Sequence, residues 1–134
     1  MTQLELKNHQ VWQDLTKVLE TIDSNALARE HLDACNYKVG GYWDEEDTYY
    51  EEIILPHNLE LELTSSSIGI TGQERFLQLK FILNVPSDAS DELSHKPEKI
   101  GEIVLIFNEN LEFIDERWVL NVDSPWLELK REQQ

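Results

Sequence analysis

The first third of the chain repeats apolar residues at the spacing of an α-helix. Between Gln3 and Ile22 these residues recur one or three positions apart and form a single stripe. The stripe consists of Val11, Trp12, Leu15, Val18, Leu19 and Ile22. The polar run at residues 23–25 then ends this helix and offers an N-cap to a second helix, from about Ala26 to Cys35. We expect the two helices to form a hairpin, with Trp12 in the protein core.

Beyond Asn36 the pattern changes to the alternation of apolar and polar residues that β-strands show. The predicted strands cover residues 37–41, 49–55, 59–64, 68–71, 75–85, 100–107 and 111–122, with a short strand or helical turn at 126–129. We interpret Gly40-Gly41 as the entry to a flexible turn and the serines at 65–67 as a loop or edge irregularity. The most apolar strand, at 100–107, is expected at the centre of the sheet, and residues 86–99 are expected to form a polar loop.

Two helices followed by a run of strands predict a single α+β domain that spans residues 1–134. The expected architecture is an N-terminal helical hairpin packed on a mainly antiparallel meander of four to six strands. This order of elements resembles the cystatin-like and nuclear-transport-factor-like architecture in topology, without a shared sequence motif. Because one fold hosts many functions, this resemblance implies no activity.

Charge narrows the possible functions. The chain has 27 acidic and 11 basic residues, which gives a net charge of −16. Such a chain attracts basic partners and repels phosphate backbones, so direct binding to nucleic acid is not expected. The N-terminus lacks the pattern of a signal peptide and no apolar run reaches membrane-spanning length, so we expect a cytoplasmic protein that does not bind membranes. The single cysteine, Cys35, is expected to be a small buried hydrophobic residue rather than a nucleophile.

One segment combines acidic with aromatic residues. Between Val39 and Glu74 there are nine carboxylates and neither Lys nor Arg. An acidic run alone is typical of a solvating tail, but aromatic side chains anchor protein interfaces. We therefore predict a surface that binds a basic protein, with Trp43 exposed as its anchor. The candidate binding residues are Tyr42, Trp43, Asp44, Glu45, Glu46, Asp47, Tyr49, Tyr50, Glu51 and Glu52.

The sequence lacks the patterns of catalytic and metal sites. The histidines have no partner at metal-ligand spacing, and residues 44–47 lack the ligand order of a calcium loop. No phosphate-binding glycine loop and no serine-nucleophile motif occurs. We therefore expect no enzymatic activity, no metal and no cofactor, and we interpret the histidines as solvated or as second-layer residues. They are His9, His31, His57 and His95.

Charged residues in the middle of the last long predicted strand support a second interpretation. They could line a small-molecule pocket between the sheet and the helices, for which Glu116, Trp118 and Tyr42 are the candidates. The same charges could instead protect a sheet edge, or form a cross-strand ion pair with Lys80 or Glu102. We prefer the structural interpretation of these charges.

The chain resembles the small acidic immunity proteins that bacteria pair with secreted nuclease toxins, including those of contact-dependent inhibition systems. The resemblance lies in its length, its acidity, the acidic and aromatic run from Gly41 to Glu52, and the absence of catalytic motifs. It implies an inhibitor that neutralises a basic toxin nuclease domain, and it carries over no residue roles because these immunity proteins share no motif. Two alternatives stay open: a small-molecule-binding or enzymatic domain, and an acidic adaptor or nucleic-acid mimic that acts on a host protein.

Overall fold

Two N-terminal helices precede seven strands in the computed structural model, which describes residues 6–86 and 97–131. The elements are α1 (Val11–Thr21), α2 (Ser24–Ala34), β1 (Lys38–Trp43), β2 (Tyr49–Ile54), β3 (Glu60–Thr71), β4 (Glu74–Val85), β5 (Glu98–Asn108), β6 (Phe113–Leu120) and β7 (Glu128–Arg131). The strands form a four-stranded meander in the order β3-β4-β5-β6 and a three-stranded sheet in the order β1-β2-β7. All pairings are antiparallel, so the predicted α+β class is confirmed, with the strands divided between two sheets.

Helix α1 is shorter and more exposed than its apolar stripe predicts. It begins at Val11 rather than Gln3, after a turn in which the Val11 backbone N–H donates to His9 Nδ1 at 2.9 Å. Residues 3–5 of the predicted helix lie outside the described part of the chain. No residue of α1 is buried, and only Leu19 and the following Ile22 pack against the core from this end. The prediction that Trp12 belongs to the core is wrong, because 49% of this residue is exposed.

Trp12→Ala should therefore lower the free energy of unfolding by about 1 kcal/mol, since about half of the side chain leaves water on folding. A fully buried tryptophan would cost about 3–5 kcal/mol instead. Chemical denaturation of the two proteins measures the difference. A loss of about 3 kcal/mol or more would show that Trp12 packs far more tightly in solution than its exposure indicates.

Helix α2 packs more closely than α1, and its start follows the sequence prediction. Asp23 is the N-cap, and its Oδ1 accepts a hydrogen bond from the backbone N–H of Ala26 at 3.0 Å. Ala28 and Leu32 are buried in the core. Cys35 follows the last helical residue and is only partly buried, not fully buried as predicted. These contacts hold α2 against the meander.

The meander buries one face of its two central strands. Alternate residues of β4 and β5 are buried there and form most of the core: Leu77, Leu79, Phe81, Leu83, Val85, Ile100, Ile103, Leu105 and Phe107. The central position predicted for residues 100–107 is confirmed. Of the two expectations for the serines at 65–67, the loop is wrong, because β3 runs through them and their backbones pair with β4. The irregularity is confined to a bulge between Leu63 and Ser65.

The loop predicted at residues 86–99 lies mostly outside the described residues. Its last two residues, Glu98 and Lys99, already belong to β5. The predicted short strand near residue 129 is confirmed as β7, which pairs with β2 rather than with the meander. As a result, β7 brings Lys130 and Arg131 next to the acidic segment.

Candidate protein-binding hairpin

Strands β1 and β2 form the hairpin that carries the acidic and aromatic residues. Gly40 and Gly41 lie within β1, as in the strand predicted at 37–41, but β1 continues to Trp43 and the turn follows at residues 44–48. Val39 is buried and Tyr42 also packs against the core, although residues three apart on a regular strand face opposite sides. Gly41 resolves this conflict with a φ of 65°, a left-handed conformation that glycine adopts without steric cost. The irregular strand thereby directs both side chains inward.

Asp44 holds the turn of the hairpin together. Its Oδ1 accepts hydrogen bonds from the backbone N–H groups of Glu46 at 2.9 Å and Thr48 at 2.8 Å. The Tyr50 hydroxyl donates to Oδ2 at 3.1 Å. The hydrogen bond from Thr48 is the main cause that lowers the pKa of Asp44, with further contributions from Glu46, Tyr50 and Arg131. Asp44 therefore acts first as a turn residue, since its carboxylate is already engaged within the protein.

Asp44→Asn should destabilise the protein at neutral pH and lose this effect in acid. A carboxylate whose pKa is lowered by folding stabilises the folded state above its ordinary pKa, and this stability disappears as the pH falls through the lowered value. Denaturant midpoints of both proteins from about pH 7 to about pH 2 test this expectation. A difference that stays constant over the whole range would mean that the charge of Asp44 does not stabilise the turn.

Glu52 is surrounded by lysines that are distant in sequence. Its Oε1 atom lies 3.7 Å from Lys38 Nζ, and its Oε2 atom lies 3.1 Å from Lys130 Nζ. The hydrogen bond with Lys130 is the main cause that lowers the pKa of Glu52. The acidic segment itself contains no basic residue, but Lys130 on β7 compensates part of the charge of Glu52. Glu52 is therefore less available to bind a cation outside the protein.

Two tyrosines tie the hairpin to the rest of the domain. The backbone N–H of Leu120, at the end of β6, donates to the Tyr42 hydroxyl at 2.9 Å. Tyr50 is buried, and the Arg131 guanidinium lies 5.3 Å from the centre of its ring. Tyr42 and Tyr50 therefore position the hairpin rather than project from it.

The remaining candidate residues are available at the end of the hairpin. Trp43 is 62% exposed, and its ring lies 4.9 Å from that of Tyr49, centre to centre. Glu45, Glu46 and Asp47 are exposed on the connecting turn. We call these five residues, Trp43, Glu45, Glu46, Asp47 and Tyr49, the hairpin tip. The predicted exposure of Trp43 is confirmed. Glu51 is also exposed, on the adjacent strand β2.

A groove of about 480 Å³ separates the turn of the hairpin from one end of the meander. Glu45 and Glu46 line it on the hairpin side, and Glu102 and Asp123 line it on the meander side. Glu102 forms ion pairs with Lys99 at 2.8 Å and Lys80 at 3.6 Å, and the hydrogen bond from Lys99 is the main cause that lowers its pKa. The groove extends the acidic surface beyond the hairpin tip, with part of its charge compensated by lysine.

The alternative pocket residues have separate surroundings. Glu116 on β6 accepts a hydrogen bond from His31 on α2, whose side chain is 13% exposed. Trp118 packs against the core, while Tyr42 contacts the end of β6 and lines the groove. The His31–Glu116 contact was missed in the sequence because the two residues are 85 positions apart. This contact links helix α2 to strand β6.

The ion pair considered for the charges of β6 forms elsewhere. Lys80 and Glu102 pair with each other across β4 and β5 as diagonal neighbours, since Lys80 lies opposite Val104 and Glu102 lies opposite Ile82. Among residues 6–86 and 97–131, no three His, Cys, Asp or Glu side chains are grouped closely enough to hold a metal ion. Neither α1 nor α2, the two helices of this part of the chain, is long and apolar enough to cross a membrane.

Comparisons of the chain with protein-family models, with curated proteins and with solved structures give no match. The residues of the hairpin tip and the contacts that hold them in place are therefore the features that indicate a function.

Proposed function

We propose that the protein is an inhibitor that binds a basic protein through the hairpin tip, and that it serves as an immunity protein against a nuclease-type toxin. One observation carries this proposal: a largely exposed tryptophan, Trp43, packs against Tyr49 with the two rings tilted by 45°, next to three consecutive exposed acids. Exposed aromatic residues of this kind are the usual anchors of protein interfaces, where they supply most of the affinity.

Charge supports a basic partner. The three acids at residues 45–47 lie on a turn with no basic neighbour in sequence, on a protein whose net charge is −16. Opposite charges steer two proteins together and raise the association rate. A nuclease is a natural target because its own substrate-binding surface must be positive to hold phosphates. Inhibition then follows if the hairpin tip occupies that surface.

The hairpin is also pre-organised for binding. Asp44 fixes the turn by two backbone hydrogen bonds, and Tyr42 anchors β1 to the end of β6. A surface that is already ordered loses less conformational entropy when it binds. These internal contacts explain why some acids and aromatics of the segment are buried or engaged while Trp43 and residues 45–47 stay free.

The proposal is tested with the product of the gene immediately upstream, which is expected to be a basic nuclease toxin. Co-expression with the present protein should restore growth of cells that produce the toxin, and the purified protein should inhibit nucleic-acid cleavage at about one molecule per toxin. Because such a toxin cleaves nucleic acid inside the cell, we expect its inhibitor to act in the cytoplasm. Failure to bind or protect, with the protein shown to be folded, would reject the proposal.

The groove of about 480 Å³ favours a second candidate function, binding or conversion of a small molecule, because its volume is typical of ligand pockets. Against it, the groove is lined by exposed charges, whereas such pockets are mostly apolar. A broad hydrolase screen distinguishes the two functions, with Asp123→Asn, a substitution in the lining of the groove, as the control variant. Reproducible turnover that this substitution abolishes would favour an enzyme.

A further inference from the structure

Beyond the bulge between Leu63 and Ser65, one edge of the meander has neither charge nor proline to oppose strand pairing. Among the described strands, β3 pairs with β4 alone, so its other side presents backbone N–H and C=O groups without a strand partner. Residues 64–71 of β3 contain no charged residue and no proline. Ile68 is 41% exposed and Ile70 is 73% exposed. A long, uncharged and partly apolar edge of this kind is a template for another strand.

The opposite edge of the same sheet shows the contrast. Strand β6 carries three consecutive charged residues, Asp115, Glu116 and Arg117. Charges on an edge strand oppose pairing with a second sheet, because they would have to leave water or face like charges. In a chain with 28% charged residues, an eight-residue uncharged stretch on an exposed edge is therefore a specific feature of β3.

We propose that β3 pairs with β3 of a second copy of this chain, antiparallel about a twofold axis at Gly69. This surface is independent of the hairpin tip. In this register Ile68 of each copy lies opposite Ile70 of the other, and the four isoleucines share one face because residues two apart on a strand point the same way. Ser67 then lies opposite Thr71, and no acidic side chain faces another acidic side chain.

A second copy suits this edge better than a basic protein does. The uncharged strand offers nothing to attract lysine or arginine, and it lets two molecules of net charge −16 meet where neither carries charge. The face that carries Ile68 also borders an apolar pocket of about 420 Å³, lined in part by Val18, Leu77 and Leu111. The isoleucines of the second copy would add to the wall of this pocket and remove its apolar lining from water.

The residue on the proposed twofold axis, Gly69, presents no side chain on the open face of the sheet. A Cβ atom at Gly69 would lie 2.1 Å from the ring of Phe76, so the ring covers this residue on that face. The isoleucines are therefore the side chains that meet near the axis. Because β3 ends at Thr71, this axis pairs residues 67–71 of each copy. Five residues at about 3.4 Å each give about 17 Å of paired strand, a small contact that predicts a weak dimer.

Sedimentation velocity across a wide range of protein concentrations tests the pairing. The mass should rise from 15.7 kDa to twice that value at high concentration. Added salt should strengthen the dimer, because it screens the repulsion between two acidic molecules. The double variant Ile68→Glu/Ile70→Glu should raise the dissociation constant by about tenfold or more, since it places glutamates opposite each other. If the double variant does not fold, Ile70→Glu alone serves, because Ile70 is the more exposed of the two.

Two matched controls complete the experiment. Ile114→Glu makes the same change at an exposed isoleucine on the opposite edge, and Trp43→Ala alters the hairpin tip. Both should dimerise as the unmodified protein does, so failure of the toxin proposal and failure of this one are distinguishable. A protein that stays monomeric at millimolar concentration in high salt overturns the proposal, as does a dimer that persists in both isoleucine variants. Hydrogen exchange that slows along β3 only when a basic protein is added would assign the edge to that protein instead.

Discussion

Replacing Glu45, Glu46 and Asp47 together by lysine should slow association with the basic partner by about one to two orders of magnitude at low salt. These three carboxylates are exposed on the turn of the hairpin, whereas Asp44 is engaged by the turn itself. Their charge acts mainly on the encounter of the two proteins, so the association rate should change more than the dissociation rate. Stopped-flow or biosensor kinetics at several salt concentrations measures both rates, and the variant should show a weaker salt dependence.

The matched control for this experiment replaces Glu60, Glu62 and Glu74 by lysine. All three are exposed, and this variant makes the net charge of −16 less negative by the same amount as the first. Equal slowing in both variants would show that overall charge steers the partner, and the hairpin tip would lose its role. Slowing confined to the first variant would support it.

Features that depend on neighbouring residues could be predicted from the sequence. The polar run at residues 23–25 predicts an N-cap because its side chains can accept from free backbone N–H groups, and Asp23 fills this role while Ser24 and Asn25 already belong to α2. The central position of residues 100–107 followed from their being the most apolar of the predicted strands. The exposure of Trp43 followed from the glycines before it and the acids after it.

Features that depend on distant residues could not be predicted. The division of the strands into two sheets requires β7 to pair with β2, and the chain between these strands gives no indication of this pairing. The same pairing places Lys130 beside Glu52 and changes which acids are free to bind. The serines at 65–67 look like a loop by composition, but backbone pairing with β4 overrides this local preference.

The apolar stripe of α1 shows a different limit. A repeat of apolar residues identifies the inner face of a helix, but it does not state how much of that face another element covers. In this protein, Leu19 and Ile22 reach the core, whereas Trp12 and Val18 stay largely exposed. Exposed aromatic residues thus occur at several places, namely Trp12, Trp43, Phe113 and Trp126, and among these Trp43 is the one directly followed by four consecutive acids.

Trp43→Ala should weaken binding of the basic partner by about 2 kcal/mol or more, which is a roughly thirtyfold rise in the dissociation constant. The large exposed ring of Trp43 is held in place by its contact with Tyr49, so it can bury apolar surface against a partner at a small entropic cost. The same substitution should change the free energy of unfolding by less than about 1 kcal/mol, because it removes one cross-strand contact and no core packing. Titration calorimetry and denaturant unfolding measure the two quantities on the same preparation.

Trp12→Ala is the matched control, since Trp12 is a comparably exposed tryptophan on α1, outside the hairpin. It should leave the affinity for the partner unchanged within about twofold, which is less than about 0.5 kcal/mol. If both substitutions weaken binding equally, exposed tryptophans contribute wherever they lie and the interface extends beyond the hairpin tip. If Trp43→Ala instead unfolds the domain while the folded fraction still binds, Trp43 belongs to the core and the hairpin tip has no aromatic anchor. Loss of affinity in Trp43→Ala alone, with stability retained, separates a binding residue from a packing residue.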